Sequence, residues 1–206
     1  MDAPGTAFNQ LLGLNDVSQA AGYSSTDATG ATLQQAFTYK GTTFTGLTGL
    51  LPSGAENNQA TGVNNSGEVS GFYLTNSGFD SSGFLLNGST LTSLNFPGST
   101  FTQAFGLNNE GQVVGTYLDG SGVMHGFVYD AMTGTFQTVD DPLGVGSTTI
   151  NGINDKGQLV GFYVNSADNT IGLVGTPTPE PDSLLLLGTG LIGLIGLTRL
   201  LHQQRA

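Results

Sequence analysis

The sequence predicts an all-β repeat protein, propeller-like, with about four blades of three to four short antiparallel strands, followed by one C-terminal transmembrane helix. Three observations predict it. One short pattern occurs four times, glycine reaches 33 of 206 residues, and composition changes abruptly at residue 177. A hydrophobic fraction of 37% with only 9% charged residues is not that of a disordered chain, which resists collapse through low hydrophobicity and high charge. Apolar β-formers separated by glycine turns favour short strands instead.

The four copies are GLNDVSQAAGY from Gly13, GVNNSGEVSGFY from Gly62, GLNNEGQVVGTY from Gly106 and GINDKGQLVGFY from Gly152, at intervals of 49, 44 and 46 residues. A second glycine follows nine residues after the first, at Gly22, Gly71, Gly115 and Gly161. Within a copy, Asn108-Asn109-Glu110-Gly111 reads as a hairpin turn, with Asn opening it and Gly supplying positive φ. Val113, Gly115 and Tyr117 then alternate with period two, as a strand requires. A third strand is expected at His125–Tyr129, with counterparts at Gln35–Tyr39, Ser82–Leu86 and, more weakly, Ile171–Val174. The fourth strand is Gly134–Val139, matched by Gly88–Leu94 and Gly41–Leu47.

Three or four strands per roughly 46 residues is the size of a propeller blade. Pro4–Asn15 aligns without gaps to Pro97–Asn108, so the first repeat is entered mid-way. The last copy stops after its third strand. Two arrangements are open: the N-terminal piece completes the last blade and closes the ring, or the chain is part of a longer protein. Met1–Gly5 has neither the basic region nor the apolar core of a signal peptide, which favours missing upstream sequence.

These copies resemble the extracellular HAF repeats, whose motif runs roughly G-I-N-x-x-G-x-V-V-G-x-Y followed by H-G-F. The resemblance spans residues 4 to about 174, and the third copy carries His125, Gly126 and Phe127 in full. It implies architecture and little about activity.

The expected organisation is a β-repeat domain at 1–176, a Pro-rich linker at 177–182, and a transmembrane sorting helix with a basic tail at 183–206. Alternate prolines in Pro177-Thr178-Pro179-Glu180-Pro181 block helix and sheet. Ser183–Thr198 is uncharged and rich in Leu, Ile and Gly; as a helix it reaches about 24 Å, short of a ~30 Å hydrocarbon core. Leu200 and Leu201 extend it if Arg199 snorkels. With Arg199, His202 and Arg205 after the span, the positive-inside rule puts the C-terminus in the cytoplasm and the repeats outside.

Pro179-Glu180-Pro181, the Leu/Gly span and the basic end with Arg199 and Arg205 together resemble the PEP-CTERM sorting signal. The resemblance implies an exosortase-class membrane protease as partner, transient anchoring in the inner membrane, cleavage near Pro179-Glu180-Pro181, and delivery to the cell surface or an extracellular biofilm matrix.

Composition excludes several chemistries. There is no cysteine, hence no disulfide and no thiolate. The net charge is −11 and the only cations before residue 177 are Lys40 and Lys156, too few to displace counterions from nucleic acid. His125 is the only histidine of the repeats and lacks an evident nucleophile, so no catalytic residue is assigned and the chain is not read as an enzyme. No cofactor is assigned. Calcium is the one small ligand considered, on Asn15-Asp16, Asn64-Asn65, Asn108-Asn109 and Asn154-Asp155, although side chains capping their own turns explain these pairs. The leading expectation is a binding or structural surface protein touching exopolysaccharide through exposed tyrosines and Asx groups. The alternative is a secreted propeller-type glycoside hydrolase or lyase, which a cleft gathering Asp119, His125, Asp130 or Asp140 would favour.

Overall fold

Hairpin turns closed by asparagine and glycine follow one another along the chain, so it folds as successive antiparallel meanders. The computed structural model describes residues 3–176. The first blade comprises β1 (Phe8–Leu14), β2 (Gln19–Ser25), β3 (Gln35–Lys40) and β4 (Thr43–Gly46), hydrogen-bonded in that order. The second comprises β5 (Glu56–Val63), β6 (Val69–Thr75), β7 (Asp80–Asn87) and β8 (Thr90–Leu94). The third comprises β9 (Thr102–Leu107), β10 (Gln112–Leu118), β11 (Met124–Asp130) and β12 (Thr135–Val139). The fourth has three strands among the described residues, β13 (Ser147–Ile153), β14 (Leu159–Val164) and β15 (Thr170–Gly175). A parallel pairing of Met124 with Ser147 joins β11 to β13, and a parallel bridge from Ser81 to Phe101 is its counterpart one blade earlier. No α-helix occurs among the described residues.

The second glycine of each repeat is explained by strand pairing. The first strand of each blade carries a bulge, at Leu12, Thr61, Phe105 and Asn151, where its register with the second strand slips. The bulge presses a carbonyl against the facing strand. A Cβ on Gly22, Gly71, Gly115 or Gly161 would sit on the carbonyl oxygen of Gln10, Gln59, Gln103 or Thr149, well inside van der Waals contact. Only glycine permits that approach.

The core lies between blades. The first strand of each blade packs across the first three strands of the blade before it: β5 on β1–β3, β9 on β5–β7, and β13 on β9–β11. Ala60 and Val63 of β5 thereby join Ala21 and Ala36 in one apolar cluster, while Ala104 of β9 joins Leu85 and Leu94 in a second. Phe84, Phe127 and Ile150 are fully buried. The fold is therefore all-β and propeller-like, but among the described residues the ring is not closed: no described strand of the fourth blade packs comparably against the first. The segment Phe8–Leu14 is hydrogen-bonded to β2 inside the first blade, so it does not complete the last blade. The expected linker at 177–182 and transmembrane helix at 183–206 lie outside the described residues. No helix among the described residues is long and apolar enough to cross a membrane.

Candidate functional site

Each repeat places an asparagine at the end of its first strand, and its side chain closes the turn that follows. Asn108 Oδ1 accepts the backbone N–H groups of Glu110 (3.1 Å) and Gln112 (2.8 Å). Asn15, Asn64 and Asn154 do the same for residues two and four further on. The turn then needs positive φ at its fourth position, which Gly67, Gly111 and Gly157 supply; Ser18 takes it at φ 60° in the first copy.

The same asparagines also bind blade to blade. Asn15 Nδ2 donates to the Asn64 carbonyl (2.8 Å), Asn64 Nδ2 to the Asn108 carbonyl (3.2 Å), and Asn108 Nδ2 to the Asn154 carbonyl (3.1 Å). One residue on, a second rail runs alongside. The N–H of Asp16 donates to Asn65 Oδ1, that of Asn65 to Asn109 Oδ1, and that of Asn109 to Asp155 Oδ1, all within 2.9 Å. Asn15, Asn64 and Asn108 are buried by these contacts. The four turns surround one open cavity of about 340 Å³, walled by the Asx pairs and by Leu14, Val63, Leu107 and Ile153. The bulge residues Leu12, Thr61, Phe105 and Asn151 line a second cavity of about 370 Å³ together with Gln59 and Phe72.

This geometry locates the calcium candidates. The Oδ1 atoms of Asn15 and Asn154 are each engaged by two N–H groups of their own turn. Both carboxylate oxygens of Asp155 accept hydrogen bonds from Asn109, whose backbone N–H is the foremost cause holding Asp155 below the usual carboxylate range. Asp16 Oδ2 accepts from Asn65 Nδ2 at 2.9 Å. The oxygens a cation would need are largely spent within the protein.

The fold gathers three of the four residues named for a catalytic alternative. His125 Nδ1 lies 2.7 Å from Asp140 Oδ2, and its Nε2 lies 3.3 Å from Asp119 Oδ2. Asp130 is elsewhere, capping the turn at Met132 and Thr133. Burial alone would lower the His125 pKa, but the hydrogen bonds and charges of Asp140 and Asp119 outweigh it and hold the value above 6.5. Asp119 is held well below the usual carboxylate range, first by the Val123 N–H and then by the Ser121 hydroxyl. The imidazole stacks on Tyr117, which stacks on Phe96 with ring centroids 3.5 Å apart. Both ring nitrogens face carboxylates, and no hydroxyl side chain among the described residues is hydrogen-bonded to the ring. The cluster thus contains no nucleophile–base pair. It ties the β10–β11 turn and the exit of β12 to β11.

The expected exposed tyrosines are a correction. Tyr23, Tyr73, Tyr117, Tyr129 and Tyr163 are buried and Tyr39 is partly so; the rings of all but Tyr163 pack against neighbouring phenylalanines. Carbohydrate stacking on a tyrosine face is not what the described surface offers. The Asx groups alone remain of that expectation. Reading the sequence also missed the ladder, because the repeat shows the asparagines but not which blade their amide groups reach.

Pro179, Glu180, Pro181, Arg199 and Arg205 lie outside the described residues. Residues 177–199 match the PEP-CTERM protein-sorting motif. The chain therefore carries a sorting signal of exported proteins processed by an exosortase and delivered towards the cell surface. No curated protein matches the chain. Among solved structures, it is similar to the fucose-recognising six-bladed β-propeller lectin of the fungus Aleuria aurantia, at 11% identity and a TM-score of 0.45, over 79% of this chain and 58% of that one. It is also similar to an arginine-to-alanine mutant of AofleA from Arthrobotrys oligospora, at 12% identity and a TM-score of 0.44, over 76% and 50% of the two chains. A mutant Aleuria aurantia lectin in complex with Fucα1-6GlcNAc gives 12% identity and a TM-score of 0.40, over 79% and 59%. The chain spans between half and three fifths of the length of these proteins.

Proposed function

We propose that this chain is a surface or extracellular-matrix protein whose β-repeat unit acts by binding or by building structure, and whose tail is a removable sorting signal. The observation that carries this reading is the sorting motif at 177–199, beginning two residues after β15 ends at Gly175. An exosortase-class membrane protease cuts near Pro179-Glu180-Pro181, at the head of the matched motif. Before cleavage, Ser183–Thr198 holds the chain in the membrane, with Arg199 and Arg205 on the cytoplasmic side. Exopolysaccharide is the proposed ligand class, and the Asx-walled cavity of the four turns is the proposed place; its carboxamides are tied into the turns and rails, and the carboxylates of Asp16 and Asp155, which have lone pairs to spare, are the groups that pair with sugar hydroxyls. The unit performs no hydrolysis and needs no calcium.

Changing Pro179 and Glu180 to alanine in an exosortase-bearing host, behind a secretory signal peptide, is the test. The variant should accumulate at full length in the membrane fraction while the unaltered chain is released. Equal release of both would defeat the sorting role. A screen of glycosidase and lyase substrates that found turnover would defeat the non-enzymatic role. Titration of calcium giving a dissociation constant tighter than about 10 μM would show that the turns serve as ligands.

A further inference from the structure

The three joints between blades are one interface used three times, and the two halves of a fourth stand exposed at the ends of the array. At the front, Leu11 of β1 is 43% exposed, whereas its counterparts Ala60, Ala104 and Ile150 are fully buried against the preceding blade. At the back, Val160 of β14 is 50% exposed and Val174 of β15 is 74% exposed. The counterparts of Val160, which are Ala21, Ser70 and Val114, are fully buried against the following blade. Gly13 and Gly106 lie against the following blade, where an added Cβ would come within 2.9 Å of the Gly62 or Gly152 Cα. An added Cβ on Gly152 itself meets only Val160 of its own blade.

The hydrogen-bond ladder has a direction, and its ends are complementary. In both rails every joint runs from donors on one blade to acceptors on the next; one added bond, from Asn65 Nδ2 to Asp16 Oδ2, runs back at the first joint. At the back, Asn154 Nδ2 donates only within its own turn, to Gln158 at 2.8 Å, and the Asp155 N–H has no partner among the described residues. At the front, the Asn15 carbonyl accepts only from Ser18, and Asp16 Oδ1 accepts nothing among the described residues. Two donors without a next blade therefore match two acceptors without a previous one.

We propose that a second copy of this chain docks head to tail on the array, the β1 face of one copy covering the β14–β15 face of the other. Asn154 and Asp155 of the first copy then continue the ladder into Asn15 and Asp16 of the second, and Leu11 lands on Gly172 as Ile150 lands on Gly126. Such an interface is heterologous, so it closes into a ring or propagates, according to the rotation at each joint. Besides having three described strands and not four on its β14–β15 side, the new joint differs from the internal ones in charge. It sets Asp155 beside Asp16, two carboxylates, on a chain of net charge −11. Added salt should therefore strengthen the association, the reverse of a salt-bridged interface.

The chain has no cysteine, which makes disulfide trapping clean. A Cβ on Gly126 lies 2.7 Å from Ile150 Cγ1 and 2.5 Å from the Val139 carbonyl oxygen, so this internal pair is close enough for a disulfide once the end of β12 gives way slightly, and it serves as the positive control. Full-length chains carrying only Leu11→Cys and only Gly172→Cys, purified in mild detergent and mixed under oxidising conditions, should yield a disulfide-linked heterodimer in excess of either homodimer. Adding Gly152→Ala to the Gly172→Cys chain should suppress that product several-fold while leaving thermal unfolding unchanged. The proposal is overturned if the Gly126→Cys/Ile150→Cys control closes but no heterodimer forms, or if homodimers form equally, the mark of random or tail-driven association. It is equally overturned if one chain bearing both Leu11→Cys and Gly172→Cys closes on itself within a monomer.

Discussion

At Gly115 the backbone of β9 comes closer to β10 than any side chain allows, and the same approach recurs at Gly22, Gly71 and Gly161. Gly115→Ala should therefore destabilise the protein by about 3 kcal/mol or more, since relief requires parting two hydrogen-bonded strands. Gly46→Ala, on β4 with nothing within 4 Å, should change stability by no more than about 0.5 kcal/mol. Urea midpoints compare the two, and equal midpoints would reject the bulge account of the repeat. The His125 cluster makes a pH prediction. A histidine whose folded pKa lies above its unfolded 6.5 contributes stability that is fully present below pH 6.5 and lost as pH rises through the folded value. Asp119 has the opposite sign: its contribution is present above its ordinary 3.8 and lost as pH falls towards the depressed folded value. Melting temperature should thus decline from pH 6 to pH 8 in the unaltered protein, and His125→Gln should flatten that decline. An identical slope in both proteins would assign the histidine no part in it.

Strands and turns were legible because each repeat writes its own hairpin: Asn108 and Gly111 mark the turn, and Val113, Gly115 and Tyr117 mark the strand after it. The third and fourth strands fell where aromatic and β-branched runs put them, from Gln35–Lys40 to Thr135–Val139. The bulge at Phe105 was not legible, since a register slip leaves the apolar pattern unchanged and shows only as a glycine on the opposing strand. Asp119, His125 and Asp140 were legible together as candidates, but not the separation of Asp130 from them, because which carboxylates reach His125 is decided only once β12 has folded back on β11. The burial of the tyrosines was likewise hidden. Period-two alternation gives the two faces of a strand, but blades that pack on both faces leave neither of them wet. The tail was legible as an ordered composition that needs no fold, and the motif match at 177–199 agrees with it. At this scale the prediction is that a chain ending at residue 176 keeps its β-sheet circular dichroism and cooperative unfolding. The inter-blade clusters are built from residues of the repeats, and loss of either signal on truncation would show that the repeats depend on the tail.

As a whole, the molecule couples a repetitive β unit to a short sorting segment, and the two parts answer different questions. The β unit offers joints that hold blades together through buried alanines, close glycines and a shared asparagine ladder, with an Asx-walled cavity where the four turns meet. It contains no group of three or more His, Asp or Glu side chains among the described residues placed to hold a metal. The tail states the destination. Export followed by removal of the tail is the central claim, and intact-mass measurement of surface-exposed protein from an exosortase-bearing host tests it most directly. A mature species that ends near Pro179-Glu180-Pro181 and lacks the apolar span is the predicted result; surface protein still ending in Arg205-Ala206 would contradict the claim and leave an ordinary single-span membrane protein.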